Sequence, residues 1–483
     1  MHMDMITPEP RPAWIAGRPE PGATTLVVHH PYDGSEVATV AVPGPEQVER
    51  AVAAAAAVAR EFRRTPAHVR AGALDHVSRG LAARAEEIAE VITAENGKPL
   101  KWAEAEVKRA VSVFRIAAEE ARRFTGDVQR LDTDPAGEAR LALTRRVPRG
   151  PVLGIAPFNF PLNLVAHKVA PSLAIGAPII VKPAPRTPLS ALVLGELLAE
   201  TDLPEGAFSV LPLGNEETRA LVADPRLPVV SFTGSGPVGW SLKDAAPRKH
   251  VVLELGGNAA AVVLRDWPDP EGAAHRIATF GNYQAGQSCI AVQRVIVDAA
   301  VAEEFVPALL EAVEAQRTGD PYDRNTDVGP VVDEAAAERI VAWVDEAVVA
   351  GAKVLTGGTR EGATVAPTLL TDVPADTKAW NEEIFGPVLA VSVVDGVDEA
   401  FRSVNESAYG LQAGVFTTDV QLAFHASAEL EVGGVIIGDV PSYRADQMPY
   451  GGVKGSGVGR EGVLAAMHDL TEERVTVFTG IDL

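Results

Sequence analysis

The sequence predicts an α/β protein built on parallel sheets, and three observations carry that prediction. Its 483 residues are enough for two or three domains of the usual size, about 100–200 residues each. From residue 150 to about 255, short apolar runs alternate with helical stretches, which is the sequence form of βα units. Ahead of them, residues 67–123 carry apolar side chains at helical spacing.

The elements follow in order. The alanine-rich run 51–59 belongs to a helical pattern that reaches Phe62. Within 67–123, Leu81, Ile88 and Val91 recur with Arg84, Glu86 and Glu87 between them, predicting long amphipathic helices. Residues 125–147 include the alternating stretch Arg140-Leu-Ala-Leu-Thr144, predicting a strand or hairpin. Strands are predicted at 152–155, 179–181, 208–211, 229–232 and 251–255, then at 259–264, 292–297 and 388–394 in a second α/β stretch reaching about 455. The β-branched run 474–479 suits an edge strand, and an exposed edge needs a partner; oligomerisation is one way to supply it.

Composition narrows the function. The net charge of −22 opposes nucleic-acid binding, which needs a basic face, yet leaves room for a locally basic pocket. A single cysteine excludes an intrachain disulfide and leaves one thiol free to pack or to react. The opening residues lack the basic start and apolar stretch of a secretory leader. The longest apolar regions, 150–165 and 169–181, are broken by proline and glycine, short of the ~20 residues a membrane helix needs. The expected setting is the cytoplasm, with neither membrane nor nucleic acid as partner.

Four features carry chemistry. Cys289, in Gly286-Gln-Ser-Cys289, is either a small buried hydrophobe or a nucleophile, depending on its neighbours. Glu254 ends an apolar strand just before Gly256-Gly257; it is either capped by backbone donors or raised in pKa and poised to activate water. Asn159, in Pro157-Phe-Asn-Phe-Pro161, is either an amide held on a stiff loop as an oxyanion donor or a turn residue satisfying its own backbone. The loop Gly234-Ser-Gly236-Pro-Val-Gly239 fits the G-x-G-x-x-G phosphate-binding pattern after a strand. Glu254, twenty residues on, could then serve as the ribose acid instead.

Taken together, Pro157-Phe-Asn-Phe-Pro161, Val181-Lys-Pro183, Phe232-Thr-Gly-Ser235, Leu253-Glu-Leu-Gly-Gly257, Gly286-Gln-Ser-Cys289, Glu383-Ile-Phe-Gly-Pro387 and Pro449-Tyr-Gly-Gly-Val-Lys-Gly-Ser-Gly457 resemble the aldehyde dehydrogenase superfamily, across nearly the whole chain and in family order. The style of the motifs is similar to lactaldehyde and other small-polar-aldehyde dehydrogenases. The resemblance implies a Rossmann-type cofactor domain (1–124 and 144–255), an α/β catalytic domain (256–466) and a small β oligomerisation region (125–143 and 467–483) that builds dimers or tetramers.

It also implies NAD or NADP as cofactor. Gly234 and Ser235 would meet the pyrophosphate, Lys182 and Glu383 the ribose hydroxyls, and Phe385 the nicotinamide, with Pro157 and Phe158 beside it. Glu254 is then the general base, Cys289 the nucleophile that forms a thiohemiacetal and a thioester, and Asn159 the oxyanion donor. Lys168 and Glu461 resemble the positions coupled to the base as a proton route; otherwise both make surface ion pairs. Where many NAD-preferring members carry Glu three residues after the ribose lysine, this chain has Pro185, followed by Arg186. That arginine either attracts a 2′-phosphate or points to solvent. Arg109 and Arg444 resemble anion-binding positions of the substrate pocket and suit a carboxylate or phosphate, unless they make structural ion pairs. Ser288 stands where the non-phosphorylating glyceraldehyde-phosphate enzymes carry arginine. The implied substrate is a short polar aldehyde, hydroxylated or anionic. No metal is implied. A cofactor-independent thiol esterase and a non-catalytic protein of the same fold are the rival readings.

Overall fold

The computed structural model describes residues 9–481; residues 1–8, where the leader reading begins, lie outside them. The first sheet has eight strands in the order Arg18–Glu20, Ala13–Ile15, Phe208–Val210, Ile179–Lys182, Val152–Ile155, Val229–Thr233, His250–Glu254 and Gly457–Val458. The five from Phe208–Val210 to His250–Glu254 are mutually parallel, as the alternation of apolar runs and helices requires. From Val152–Ile155 the chain builds outward in one direction through Ile179–Lys182, then in the other through Val229–Thr233. That reversal makes a crevice at the carboxyl ends of the strands, the usual place for a ligand in such sheets.

The second sheet has seven strands: Lys353–Thr356, Thr368–Thr371, Val388–Val394, Arg294–Asp298, Ala260–Val263, Gln412–Phe416 and Gly434–Ile437. All pairs are parallel except the first. Strand bounds match the sequence reading to within a few residues; the run expected at 292–297 pairs as Arg294–Asp298.

The helical stretch 67–123 resolves into Ala67–Ala83, Ala85–Asn96 and Leu100–Arg123. Gly97, at φ +72, ends the second, a backbone region that suits glycine. The helix Asn163–Ile175 is buried on every side, which explains why its apolar residues show no stripe. Buried Glu106 closes its start, accepting the backbone N–H groups of Leu162 and Asn163 at 3.0 Å each, and ion-pairs with buried Lys98.

The last strand, Thr471–Thr479, pairs antiparallel with Arg140–Pro148 of its own chain, which pairs in turn with Val128–Arg130. Its other side is the sheet edge. The boundaries expected at 143 and 466 both fall inside elements, Arg140–Pro148 and Val463–Asp469. Val463, Met467 and Leu470 pack into the core that holds Val165 and Val169, so the chain after about 455 returns to the first sheet. The hairpin Thr24–His29 with Glu36–Val42 escaped the sequence reading, although Asp33-Gly34 between alternating apolar residues signals it.

Candidate active site

The parallel register sets Thr233 beside Glu254 at the carboxyl end of the first sheet. Glu254 is 2% exposed, and neither carboxylate oxygen has a hydrogen-bond partner among the described residues. Burial pushes its pKa well above the ordinary carboxylate value and Glu461 adds repulsion, while Arg444, Lys168 and Arg460 pull it down less. A Cβ on Gly451 would stand 2.9 Å from Glu254 Oε1, so the C-terminal loop covers the acid closely. At 2% exposure the carboxylate is not presented to solvent as a ribose acid would be, so the geometry favours the buried-base reading of Glu254.

Beside it lies a buried charge network. Lys168 Nζ donates to Ser231 Oγ (3.1 Å), Thr233 Oγ1 (2.7 Å) and Glu461 Oε1 (3.1 Å). The other oxygen of Glu461 accepts from Arg444 at 3.1 Å. Burial alone would raise the Glu461 carboxyl; Lys168 and Arg444 outweigh it and hold the group ionised. Lys168 and Glu461 therefore meet as a buried pair beside Glu254, not at the surface.

Cys289 follows a kink. Gln284 and Ala285 both have φ of +54° and Gly286 +69°, so the chain is held in a left-handed conformation before the thiol, the kind of strain that clusters at functional sites. The Cys289 carbonyl packs against Gly257, where a side chain would collide with it. This contact ties the thiol loop to the end of the Glu254 strand. Sγ lies 2.9 Å from the Tyr450 hydroxyl. Burial drives the thiol pKa up to about 12, with the Tyr450 hydrogen bond the largest opposing effect. Asn159 comes to the same loop and gives one amide N–H to the Gln287 carbonyl at 2.9 Å, which leaves its second N–H for an oxyanion. Ser288 accepts the Tyr283 hydroxyl at 2.7 Å.

The dinucleotide candidates line the crevice. The helix Gly236–Ala245 starts at Ser235, whose side chain makes no cap bond, and the space around Gly236 is open. Gly239 meets Leu255 too closely for a side chain, so it lets helix and strand pack. Unpaired N–H groups at a helix start suit a pyrophosphate. Lys182 ends its strand buried, and desolvation lowers its pKa to about 8. Phe158 and Phe385 stack edge to face at 6.0 Å, with Phe385 at φ +51°. This donor set fits a dinucleotide.

Two of the expected cofactor residues have partners within the protein. Glu383 tucks against Gly256-Gly257 and accepts the Gly257 N–H at 3.0 Å. Its pKa is raised by burial to about 7. Arg186 pairs with Asp333 at 2.6 Å.

A cavity of about 270 Å³ opens beside the thiol loop, walled by Trp102, Phe160, Phe280 and Tyr283 and edged by Arg109 and Arg444. Arg109 Nε and Nη2 both donate to Asp446 Oδ1, at 3.1 and 3.0 Å. Arg444 is buried with its guanidinium 3.8 Å from the Tyr450 ring centre, and its Nε lacks a partner among the described residues. Both arginines make ion pairs and both face the cavity, so the two sequence readings describe one arrangement. Tyr450, Ser231, Thr233 and Asp446 were missed by sequence reasoning. Ser231 left a signal, as a polar residue inside the apolar run Val229-Val-Ser-Phe.

A dinucleotide-type sheet set against a second α/β sheet, with a thiol and a buried acid between, defines a nicotinamide-dependent oxidoreductase. The aldehyde dehydrogenase family profile matches residues 18–476, and the chain belongs to that family. It is 41% identical to the 3-sulfolactaldehyde dehydrogenase of Priestia megaterium over 469 residues, 96% of this chain and 97% of that one. Its fold superposes on aldehyde dehydrogenase 21 from Physcomitrella patens in complex with succinate, with a TM-score of 0.97, 43% identity and 99% of each chain covered. It likewise superposes on the NADP-dependent glyceraldehyde-3-phosphate dehydrogenase of Bacillus halodurans complexed with NADP, with a TM-score of 0.93, 35% identity and 98% and 99% coverage. The protein is an NAD(P)-dependent oxidoreductase that converts an aldehyde to its acid, which sets aside the esterase and non-catalytic readings. Among the described residues no helix is long and apolar enough to cross a membrane.

Proposed function

We propose that the protein oxidises a short anionic aldehyde, carrying a carboxylate or sulfonate, to the acid at Cys289. The observation that carries this reading is the aromatic-walled cavity beside the thiol loop with Arg109 and Arg444 at its edge. Guanidinium groups recognise such anions through paired hydrogen bonds. The names of the relatives agree, since one acts on 3-sulfolactaldehyde and the moss enzyme holds succinate.

The Cys289 thiolate attacks the aldehyde carbon, and the new oxyanion takes hydrogen bonds from the Asn159 amide and the Cys289 N–H. The bound nicotinamide supplies the hydride acceptor. The thioester left on Cys289 is cleaved by water that Glu254 deprotonates; the proton then has the Lys168–Glu461 pair as its neighbour. Lys182, Ser235, Gly234 and the Phe158–Phe385 pair would hold the dinucleotide, with Pro157 stiffening their loop. Glu383 holds the Gly257 N–H with one oxygen, and its other oxygen would be the acceptor for a ribose hydroxyl. Pro185 leaves no carboxylate to repel a 2′-phosphate, which supports NADP as well as NAD.

The exposed Val475, Val477 and Phe478 on the last strand, together with its open edge, support a dimer or tetramer built by pairing with another copy, around the cofactor, catalytic and oligomerisation divisions named above. A thiol that must stay reduced supports a cytoplasmic setting. A panel of anionic, hydroxylated and neutral aldehydes, assayed by reduced-cofactor absorbance with NAD and with NADP, tests the reading. Anionic aldehydes should give the highest kcat/KM; neutral aliphatic aldehydes turning over equally well would end the anionic assignment.

A further inference from the structure

The hydroxyl nearest the sulfur belongs to a residue with no place in the reading above. Tyr450 is 4% exposed and lies with Ile290, Leu411 and Cys289 in a small apolar cluster. Three constraints fix it. Its backbone N–H donates to the Glu461 carbonyl at 2.9 Å, and its carbonyl accepts the Glu461 N–H at 2.6 Å. Its ring faces the Arg444 guanidinium at 3.8 Å. That guanidinium is itself held by the Glu461 side chain at 3.1 Å. Glu461 therefore anchors both the phenol and the cation stacked on it, and the hydroxyl is left 2.9 Å from Sγ.

We propose that Tyr450 is a positioning residue that gives its hydroxyl proton as a hydrogen bond to the Cys289 thiolate, favouring the ionised nucleophile and holding it in place before attack. An apolar pocket opposes a thiolate, and the other titratable groups facing the sulfur are Glu383, Arg444, Glu254 and Tyr283. The two carboxylates oppose ionisation and Arg444 favours it. Arg444 lies against the ring, so the phenol is the neutral donor in contact with the sulfur. The cation over the ring attracts its electron density and makes the hydroxyl a better donor. The same bond would steady the sulfur as leaving group when the thioester is cleaved. The inference rests on Cys289 being the nucleophile.

Cys289 is the only cysteine in the chain, so alkylation by iodoacetamide reads this sulfur alone. The pH dependence of the alkylation rate is compared between the natural protein and Tyr450→Phe, which deletes one oxygen. A hydrogen bond to a charged partner is worth about a tenfold to hundredfold change in such an equilibrium, so the profile should move to higher pH by about one unit or more. A change in access alone scales the rate without displacing the profile, and an undisplaced profile in Tyr450→Phe overturns the proposal. If Tyr450→Phe does not fold, Tyr450→Trp keeps an N–H donor on an aromatic ring and must stay closer to the natural profile than Tyr450→Leu; equal displacement of the two also overturns it. Cys289→Ser is assayed in parallel: retained aldehyde oxidation there would sink the nucleophile assignment itself, whatever Tyr450 does.

Discussion

Lys168 Nζ lies 3.1 Å from Glu461 Oε1, and this pair sits beside a second buried carboxylate, Glu254, that has no hydrogen-bond partner among the described residues. The ammonium is spent on Glu461, so Glu254 bears both burial and the repulsion of its neighbour. A carboxyl raised in this way is protonated at low pH and becomes a base as pH rises. Activity should climb with pH through the Glu254 titration. Glu461→Gln removes the repelling charge and frees Lys168 and Arg444 to attract Glu254, so the acid limb of the kcat profile should move to lower pH by about one unit or more. A limb that stays in place or moves upward would show that another group titrates.

Arg109 reaches the cavity from the helix Leu100–Arg123 while Asp446 holds its Nε and Nη2 from the late loop. The Asp446 carboxylate holds the guanidinium by two of its nitrogens, and Arg109 also lines the cavity proposed for the substrate. Arg109→Ala should lower kcat/KM for anionic aldehydes about tenfold to a hundredfold, the usual worth of a hydrogen bond to a charged group. Neutral aldehydes of the same length should change little. Equal loss for both classes would make Arg109 a support for the loop only.

Much of this site was legible in the sequence because the motifs mark backbone requirements. Gly257 and Gly451 are glycine where a side chain would collide with Cys289 and stand 2.9 Å from Glu254, and motif order set Cys289, Glu254 and Asn159 near one another. Partnerships were not legible. Nothing in the string says that Arg186 spends its charge on Asp333, that Glu383 folds onto Gly257, or that Tyr450 meets Cys289 across 161 positions. These depend on how two sheets are set against each other, and periodicity carries no such information. The packing of Val463–Asp469 depends on the same kind of information, since it finds its core only in three dimensions.

The Arg186–Asp333 pair bears on cofactor choice. Asp333 also caps the helix Glu334–Val349 by accepting the Ala336 N–H, a task asparagine performs as well as aspartate. Asp333→Asn should keep the helix and release Arg186. Exposed ion pairs are worth up to about 1 kcal/mol, so the NADP-to-NAD ratio of kcat/KM should rise by up to about fivefold. A ratio that does not move would place Arg186 away from the 2′-phosphate.

Lys98 and Glu106 form an ion pair with both side chains fully buried, and Glu106 also closes the helix that carries Lys168. Glu106→Gln keeps the shape and strands a buried ammonium, which costs about 3–5 kcal/mol where one partner is lost. The deficit depends on pH with a definite sign. Burial already lowers the Lys98 pKa, against the pull of Glu106, and loss of Glu106 lowers it further. The unfolded chain then binds a proton that the folded one does not, so stability rises with pH. The loss measured by denaturant midpoint should be larger at pH 7 than at about pH 9. Lys98→Met in the same chain removes the stranded charge and should restore most of the stability at pH 7. A double variant no more stable than Glu106→Gln would place the whole effect in the helix cap, not in the pair.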